Sequence, residues 1–309
     1  MDVLIIGGSA AGLTAGLFAA RRGLKTVIVT KDLGGQLSST LEIANYPGIN
    51  FIEGYSLAEV MAEQARHAGA TIVVDEISSL SASGGNQPRF VATGAQDSYS
   101  GRSLILALGK TPRGLGLPDE ERYLGKGVGY CAPSDIRAAA GQQVVIVGGG
   151  GTAFAAAKLG SSIASKITLI HRNETFRAEK AVVDEVRQLP NVEIITNAEV
   201  TALHGTPQLS DITITRSDGS SSMISCDHLL IGAGFTVHPE LYQELVATNE
   251  LGLITVNERQ ETSRPGLYAA GDISSVPFNQ AVISASEGAK AALSAYSWLT
   301  GKPAGSDWH

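Results

Sequence analysis

One pattern, an apolar strand, a glycine turn and an Ala-rich helix, occurs twice in this chain and constrains its fold more than any other feature. Val3-Leu4-Ile5-Ile6 leads into Gly7-Gly8-Ser9-Ala10-Ala11-Gly12, and Val144-Val145-Ile146-Val147 leads into Gly148-Gly149-Gly150-Gly151-Thr152-Ala153. Such a turn suits a dinucleotide. Glycine allows the tight bend and the close approach of backbone to ligand, and the N–H groups at the helix start face the pyrophosphate. A single copy also fits an ordinary strand–helix turn. Two copies point to two nucleotides, and so to electrons passed from one to the other.

The 309 residues are enough for two domains with cores of their own. The 23 basic and 30 acidic residues leave a net charge of −7, which argues against a nucleic-acid partner. No apolar run approaches the ~20 residues that span a bilayer, and the first strand begins at Val3 with no basic leader before it. With only Cys131 and Cys226 there is no disulfide scaffold, and a cytoplasmic location is expected. No clustering of ligand-type residues suggests a metal.

Periodicity predicts a strand at Val3–Ile6, a helix over Ala10–Arg22 ended by Gly23, and a strand at Thr26–Thr30. A helix over Leu57–Ala68 and strands at Thr71–Val74 and Leu104–Leu108 follow. The second unit repeats the scheme with Val144–Val147, Thr152–Ala164 and Ile167–His171, then strands near Glu193–Thr196, Ile212–Arg216 and His228–Ile231. Cys226 falls in an expected strand, Met223–Ile231, as a small buried hydrophobe. Pro112, Gly114, Gly116 and Pro118 form one candidate linker, and Gly232, Gly234 and Pro239 another. Leu267–Ala270 then reads as a strand ending in Gly271-Asp272, before an Ala-rich helix to about Leu299. The fold class is therefore α/β, built of two three-layer dinucleotide-binding domains.

Further short motifs occur in order: Gly34-Gly35-Gln36-Leu37, Asn45-Tyr46-Pro47-Gly48, Ala107-Leu108-Gly109 with Arg113, His171-Arg172 with Phe176-Arg177-Ala178, Gly271-Asp272 and Gln280-Ala281. With the two glycine turns they cover nearly the whole chain, which resembles the low-molecular-weight thioredoxin reductases. The resemblance implies an FAD domain (1–112 and 240–309) interrupted by an NAD(P)H domain (113–239), in a homodimer. It also implies that the domains rotate about their Gly/Pro-rich linkers.

By that resemblance, FAD contacts are expected from Gly7, Ser9, Ala10, Ala11, Gly12, Gly34, Gly35, Gln36, Leu37, Ala107, Gly109 and Gly271. Asp272 would lie at the ribityl or phosphate region, and Asn45, Gln280 and Ala281 at the isoalloxazine edge. Asn45 also fits as a plain turn former. In the second unit, Gly148, Gly150, Thr152 and Ala153 would hold the nicotinamide dinucleotide. Its ribose selectivity is read at the end of the next strand. An acid there favours NAD, whereas this chain has His171-Arg172, with Arg177 close behind. Cations suit a 2′-phosphate, so NADPH is expected.

Four positions depart from the family pattern. Ser9 replaces a glycine, Asn173 replaces the second arginine after His171, and Asn279 replaces the arginine before Gln280. The fourth is the redox site: Cys-x-x-Cys-Asp reads Cys131-Ala132-Pro133-Ser134-Asp135. In the family the two sulfurs pass electrons to a thioredoxin, with the aspartate as acid–base partner. A serine hydroxyl cannot replace the second sulfur. The residues leave three readings of Cys131 open: a cysteine-to-serine variant, a natural loss of dithiol chemistry, or vestigial packing. Three functions follow. The first is a thioredoxin-reductase-type enzyme delivering electrons through Cys131 to a thioredoxin-like protein. The second is a flavoprotein without a dithiol relay, exchanging electrons with ferredoxin, a second flavin or a quinone. The third is a redox-inactive FAD-binding sensor or interaction protein.

Overall fold

In the computed structural model, residues 1–38, 40, 43–84, 89–130 and 136–305 are described. They form two compact units: Met1–Thr111 together with the chain from Val237 on, and Pro112–Thr236 between them.

The first unit opens with β1 (Val3–Ile6), α1 (Ala10–Arg21), β2 (Thr26–Thr30), α2 (Gly54–His67) and β3 (Thr71–Val74). An antiparallel meander follows: β4 (Ile77–Ala82), β5 (Phe90–Gly94) and β6 (Ser98–Gly101), then β7 (Ser103–Leu106). The second unit holds β8 (Val128–Gly129), β9 (Gln143–Val147), α3 (Gly151–Gly160), β10 (Lys166–His171), α4 (Lys180–Arg187) and β11 (Val192–Thr196). Its own meander is β12 (Ala198–His204), β13 (Asp211–Arg216) and β14 (Ser221–Ser225), before β15 (His228–Ile231). The chain then returns to the first unit with β16 (Leu267–Ala269) and α5 (Ala281–Thr300).

Both main sheets are parallel, in the orders β16-β7-β1-β2-β3 and β11-β10-β9-β15-β8. Parallel strands covered on both faces read as continuous apolar runs, and all four residues of Val3–Ile6 are buried. Alternation decides which face each meets. Val3, Ile5 and Ile105 pack under α1, α2 and α5, while Leu4, Ile6 and Leu106 pack against Phe90 and Ala92 of the meander. The second unit repeats this, with Val144 and Ile146 under α3 and α4, and Val145 beneath Ile212 and Ile214. Each unit is thus helix layer, parallel sheet and meander.

The strand order reverses direction at β1 in one unit and at β9 in the other. A crevice opens at the carboxyl ends of strands where the order reverses, and ligands bind there in open α/β sheets. Both glycine turns leave from those strand ends.

Several elements differ from the sequence expectation. Met223–Ile231 is two strands. Cys226 N–H donates to the Ser210 carbonyl, closing the meander, while Asp227 exchanges hydrogen bonds with Gln143 at the edge of the parallel sheet. The chain changes sheets at this point. The helix expected over Thr152–Ala164 ends at Gly160, and β4, β5, β6, β8, β12 and α4 are additional to the sequence reading. Among the described residues no helix is long and apolar enough to cross a membrane.

Candidate functional site

The first turn is held by backbone contacts that leave no room for side chains. Gly7 N–H donates to the Val29 carbonyl at 2.8 Å, and Gly34 N–H to the Gly8 carbonyl at 2.8 Å. A Cβ at Gly12 would overlap the Gly7 carbonyl oxygen, so the helix can start this close to the strand only with glycine there. α1 begins at Ala10 after Ser9, with no side-chain cap and no acid in its first turn. Its leading N–H groups thus have no capping side chain and remain available to an anion.

The Gly34–Leu37 and Gly271 motifs lie at this turn. The Gln36 side chain donates to the Lys110 carbonyl at 2.8 Å, tying the Gly34–Leu37 loop to the segment after β7. Gly271 packs on α1, where an added Cβ would meet that of Ala11 at 3.0 Å. Asn45 and Gln280, 235 positions apart, are hydrogen-bonded to one another, Nδ2 to Oε1 at 2.9 Å. Burial raises the Asp272 carboxyl above its ordinary range, opposed by the Lys110 charge and by hydrogen bonds from Ser284 and Gln36.

Glu287 carries no sequence signal beyond being a lone acid on the apolar side of an Ala-rich helix. It is 4% exposed on α5, and its Oε2 accepts the Gly271 N–H at 2.7 Å and the Ser274 hydroxyl at 3.1 Å. It therefore fixes the bend that presents Asp272. Burial raises its pKa, outweighing both hydrogen bonds. The sign follows: the ionisation cost is absent below the unfolded carboxyl value and complete above the raised folded value. Glu287→Ala should cost about 2–4 kcal/mol at acid pH, because it orphans two buried donors. The gap to wild type should narrow as pH rises from about 4 to 8, when the charged acid penalises the wild type. Denaturant unfolding across that range measures it, and a gap that widens with pH would refute the assignment.

In the second unit, Gly148 N–H donates to the Ile170 carbonyl at 3.0 Å and Gly232 N–H to the Val147 carbonyl at 2.7 Å. α3 starts after Gly150 with no side-chain cap. A Cβ on Gly150 or Gly151 would meet no described atom within 4 Å, so open space lies over the helix start. Thr152 is exposed and Ala153 is buried.

The segment after β10 is pinned to the same turn. Arg177 and Ala178 N–H groups donate to the Gly149 carbonyl at 2.7 and 3.1 Å. Arg172 and Arg177 are exposed and have no acidic partner among the described residues. His171 closes the underside of the turn. It is buried, its ring lies against Gly149 and within 5.4 Å of the Phe176 ring centroid, and burial lowers its pKa with help from both arginines. The imidazole here forms the floor of the turn, beside the exposed Arg172 and Arg177.

Cys131, Ser134 and Asp135 lie outside the described residues. The chain entering them is anchored: buried Glu120 accepts the Tyr130 hydroxyl at 2.6 Å and the Leu115 N–H at 2.9 Å, and Tyr130 immediately precedes Cys131. Cys226 is inaccessible, and burial pushes its thiol up to about 12. It supplies no thiolate near neutral pH.

Two glycine turns, each at a sheet's switch point, accompany the findings of the comparisons. Residues 1–289 match the model of the pyridine nucleotide-disulphide oxidoreductases. The chain belongs to that family. Within it, the chain is of the thioredoxin reductase type, FAD-dependent and linked to a pyridine nucleotide. It is 35% identical to a thioredoxin reductase of Spironucleus barkhanus, over 96% of this chain and 98% of that one. It is 32% identical to the thioredoxin reductase of Treponema pallidum, over 96% and 97%. The solved thioredoxin reductase of Giardia duodenalis superposes with a TM-score of 0.77 at 32% identity, covering 96% and 98%. That of Streptococcus pyogenes superposes at 0.79 and 30% identity, covering 97% and 98%.

Proposed function

We propose that the first unit of this thioredoxin-reductase-type enzyme holds FAD and the second holds NADPH, and that the two exchange electrons with a thioredoxin-like protein. The observation that carries this reading is the paired construction at the two switch points. Each has a glycine turn, an uncapped helix start and a motif segment bonded to the turn: Gly34 N–H to the Gly8 carbonyl in the first, Arg177 N–H to the Gly149 carbonyl in the second. The residues fit the cofactors: uncapped N–H groups for a pyrophosphate, and exposed arginines without a described acidic partner for a 2′-phosphate.

FAD, when bound, supplies a centre that takes two electrons as hydride from a nicotinamide and passes them on to another acceptor. The α1 N-terminus and Gly7–Gly12 would hold its pyrophosphate. Asn45 and Gln280, which orient each other, would present amide groups at its pyrimidine side. Gly148–Ala153 would hold the second pyrophosphate, with Arg172 and Arg177 on the 2′-phosphate. The Cys131 thiolate would attack a partner disulfide, forming a mixed disulfide and releasing one partner thiol. Releasing the second thiol needs another sulfur, and Ser134 has none.

The serine favours a second reading on a specific residue. An enzyme without a dithiol relay would pass electrons directly between FAD and ferredoxin, a second flavin or a quinone. Either enzyme would work in the cytoplasm as a homodimer.

The purified chain should be yellow, with one FAD per chain released on denaturation. A folded, colourless protein that takes up no FAD would overturn the assignment. Arg172→Ala should weaken NADPH binding by about 1.5–3 kcal/mol, the worth of a charge-assisted hydrogen bond, and leave NADH binding nearly unchanged. Unchanged NADPH affinity by calorimetry would remove Arg172 from the site.

A further inference from the structure

At the rim of the first turn, one cation joins residues from three separate segments. Lys110 follows Gly109 beyond β7, and its carbonyl is held by the Gln36 side chain at 2.8 Å. Its ammonium donates to Asn279 Oδ1 at 3.2 Å. Asn279 adjoins Gln280, which is bonded to Asn45, so the ammonium belongs to the same polar rim. Asp272 is half-buried and contacted by the Ser284 hydroxyl at 3.5 Å, and the Lys110 charge works against the rise that burial gives its carboxyl. A half-buried carboxylate repels a pyrophosphate and any flavin that gains negative charge on reduction. A lysine whose backbone carbonyl is fixed by Gln36 and whose ammonium is fixed by Asn279 is placed to offset it.

We propose that Lys110, oriented by Asn279, is a positioning residue that offsets the Asp272 carboxylate, so that this cradle accepts an anionic dinucleotide and stabilises its reduced flavin. The inference rests on the FAD assignment above. When FAD takes up two electrons and one proton, the product is a flavin anion, and the Lys110 charge favours that product over the oxidised form. An arginine placed directly at position 279 would bring its charge on the helix-leading segment. Here the charge arrives from the β7 side, with Asn279 as acceptor.

The test compares Lys110→Met and Lys110→Arg with the wild type at fixed ionic strength. FAD affinity is measured by titrating the apoprotein, and the flavin midpoint potential by equilibration with redox dyes. Lys110→Met should weaken FAD binding about tenfold or more and shift the midpoint to more negative values. Lys110→Arg should retain both within about threefold. If Lys110→Met lowers only the melting temperature of the apoprotein and leaves affinity and potential unchanged, the inference is overturned. The same holds if the arginine variant fails as badly as methionine. If the wild type itself binds no FAD, the FAD assignment fails instead.

Discussion

Gly12→Ala should produce a protein that neither binds FAD nor keeps a stable first unit. The added methyl would overlap the Gly7 carbonyl oxygen, a backbone atom that cannot swing away. Relief requires α1 to move off β1, which also displaces the Ser9–Ala10 helix start that carries the free donors. Overpacking of this kind costs about 3 kcal/mol, and the displaced cradle loses the ligand's stabilisation as well. We expect FAD affinity to fall by about a hundredfold or more, corresponding to roughly 2.7 kcal/mol. Flavin content and thermal unfolding with and without added FAD measure it. A variant that stays yellow with wild-type stability would show that the turn does not hold the cofactor.

Ser134→Cys should convert the chain from no multiple-turnover reduction of a thioredoxin disulfide to sustained turnover. The chemistry needs two sulfurs: Cys131 to attack and a second to resolve the mixed disulfide. Cys226 cannot serve, because it is buried between the meander and the parallel sheet with its thiol pushed up to about 12. A disabled thioredoxin reductase regains turnover with the new cysteine, and a disulfide between Cys131 and the introduced thiol forms under oxidising conditions. A direct-transfer flavoprotein gains at most an idle disulfide and keeps its activity with its own acceptor. Rapid thioredoxin turnover by the unmodified chain would contradict this account of Cys131.

The two glycine turns are legible in the sequence because their constraint is local. A buried strand, a bend only glycine permits and a helix start all lie within about a dozen residues. The family resemblance sets Asn45 and Gln280 at one edge of the cofactor but does not give their hydrogen bond to each other, since no local pattern joins positions so far apart. The meanders are largely hidden. Ile77–Ala82 and Ser98–Gly101 are rich in serine and carry little alternation, and the sheet they cover is what holds them as strands. His171 is half legible: the sequence sets it beside two arginines, and its burial against Gly149 is visible only in the fold. Glu287 and Lys110 are silent because their partners come from distant segments.

The most direct test of the central claim is an anaerobic titration of the purified flavoprotein with NADPH, followed by addition of oxidised acceptor. The account predicts loss of the flavin absorbance band near one equivalent of NADPH, a weaker response to NADH, and recovery of the band on adding the true acceptor. A flavin that stays oxidised under excess NADPH and excess NADH would contradict it, since the second turn would then not deliver hydride to the first.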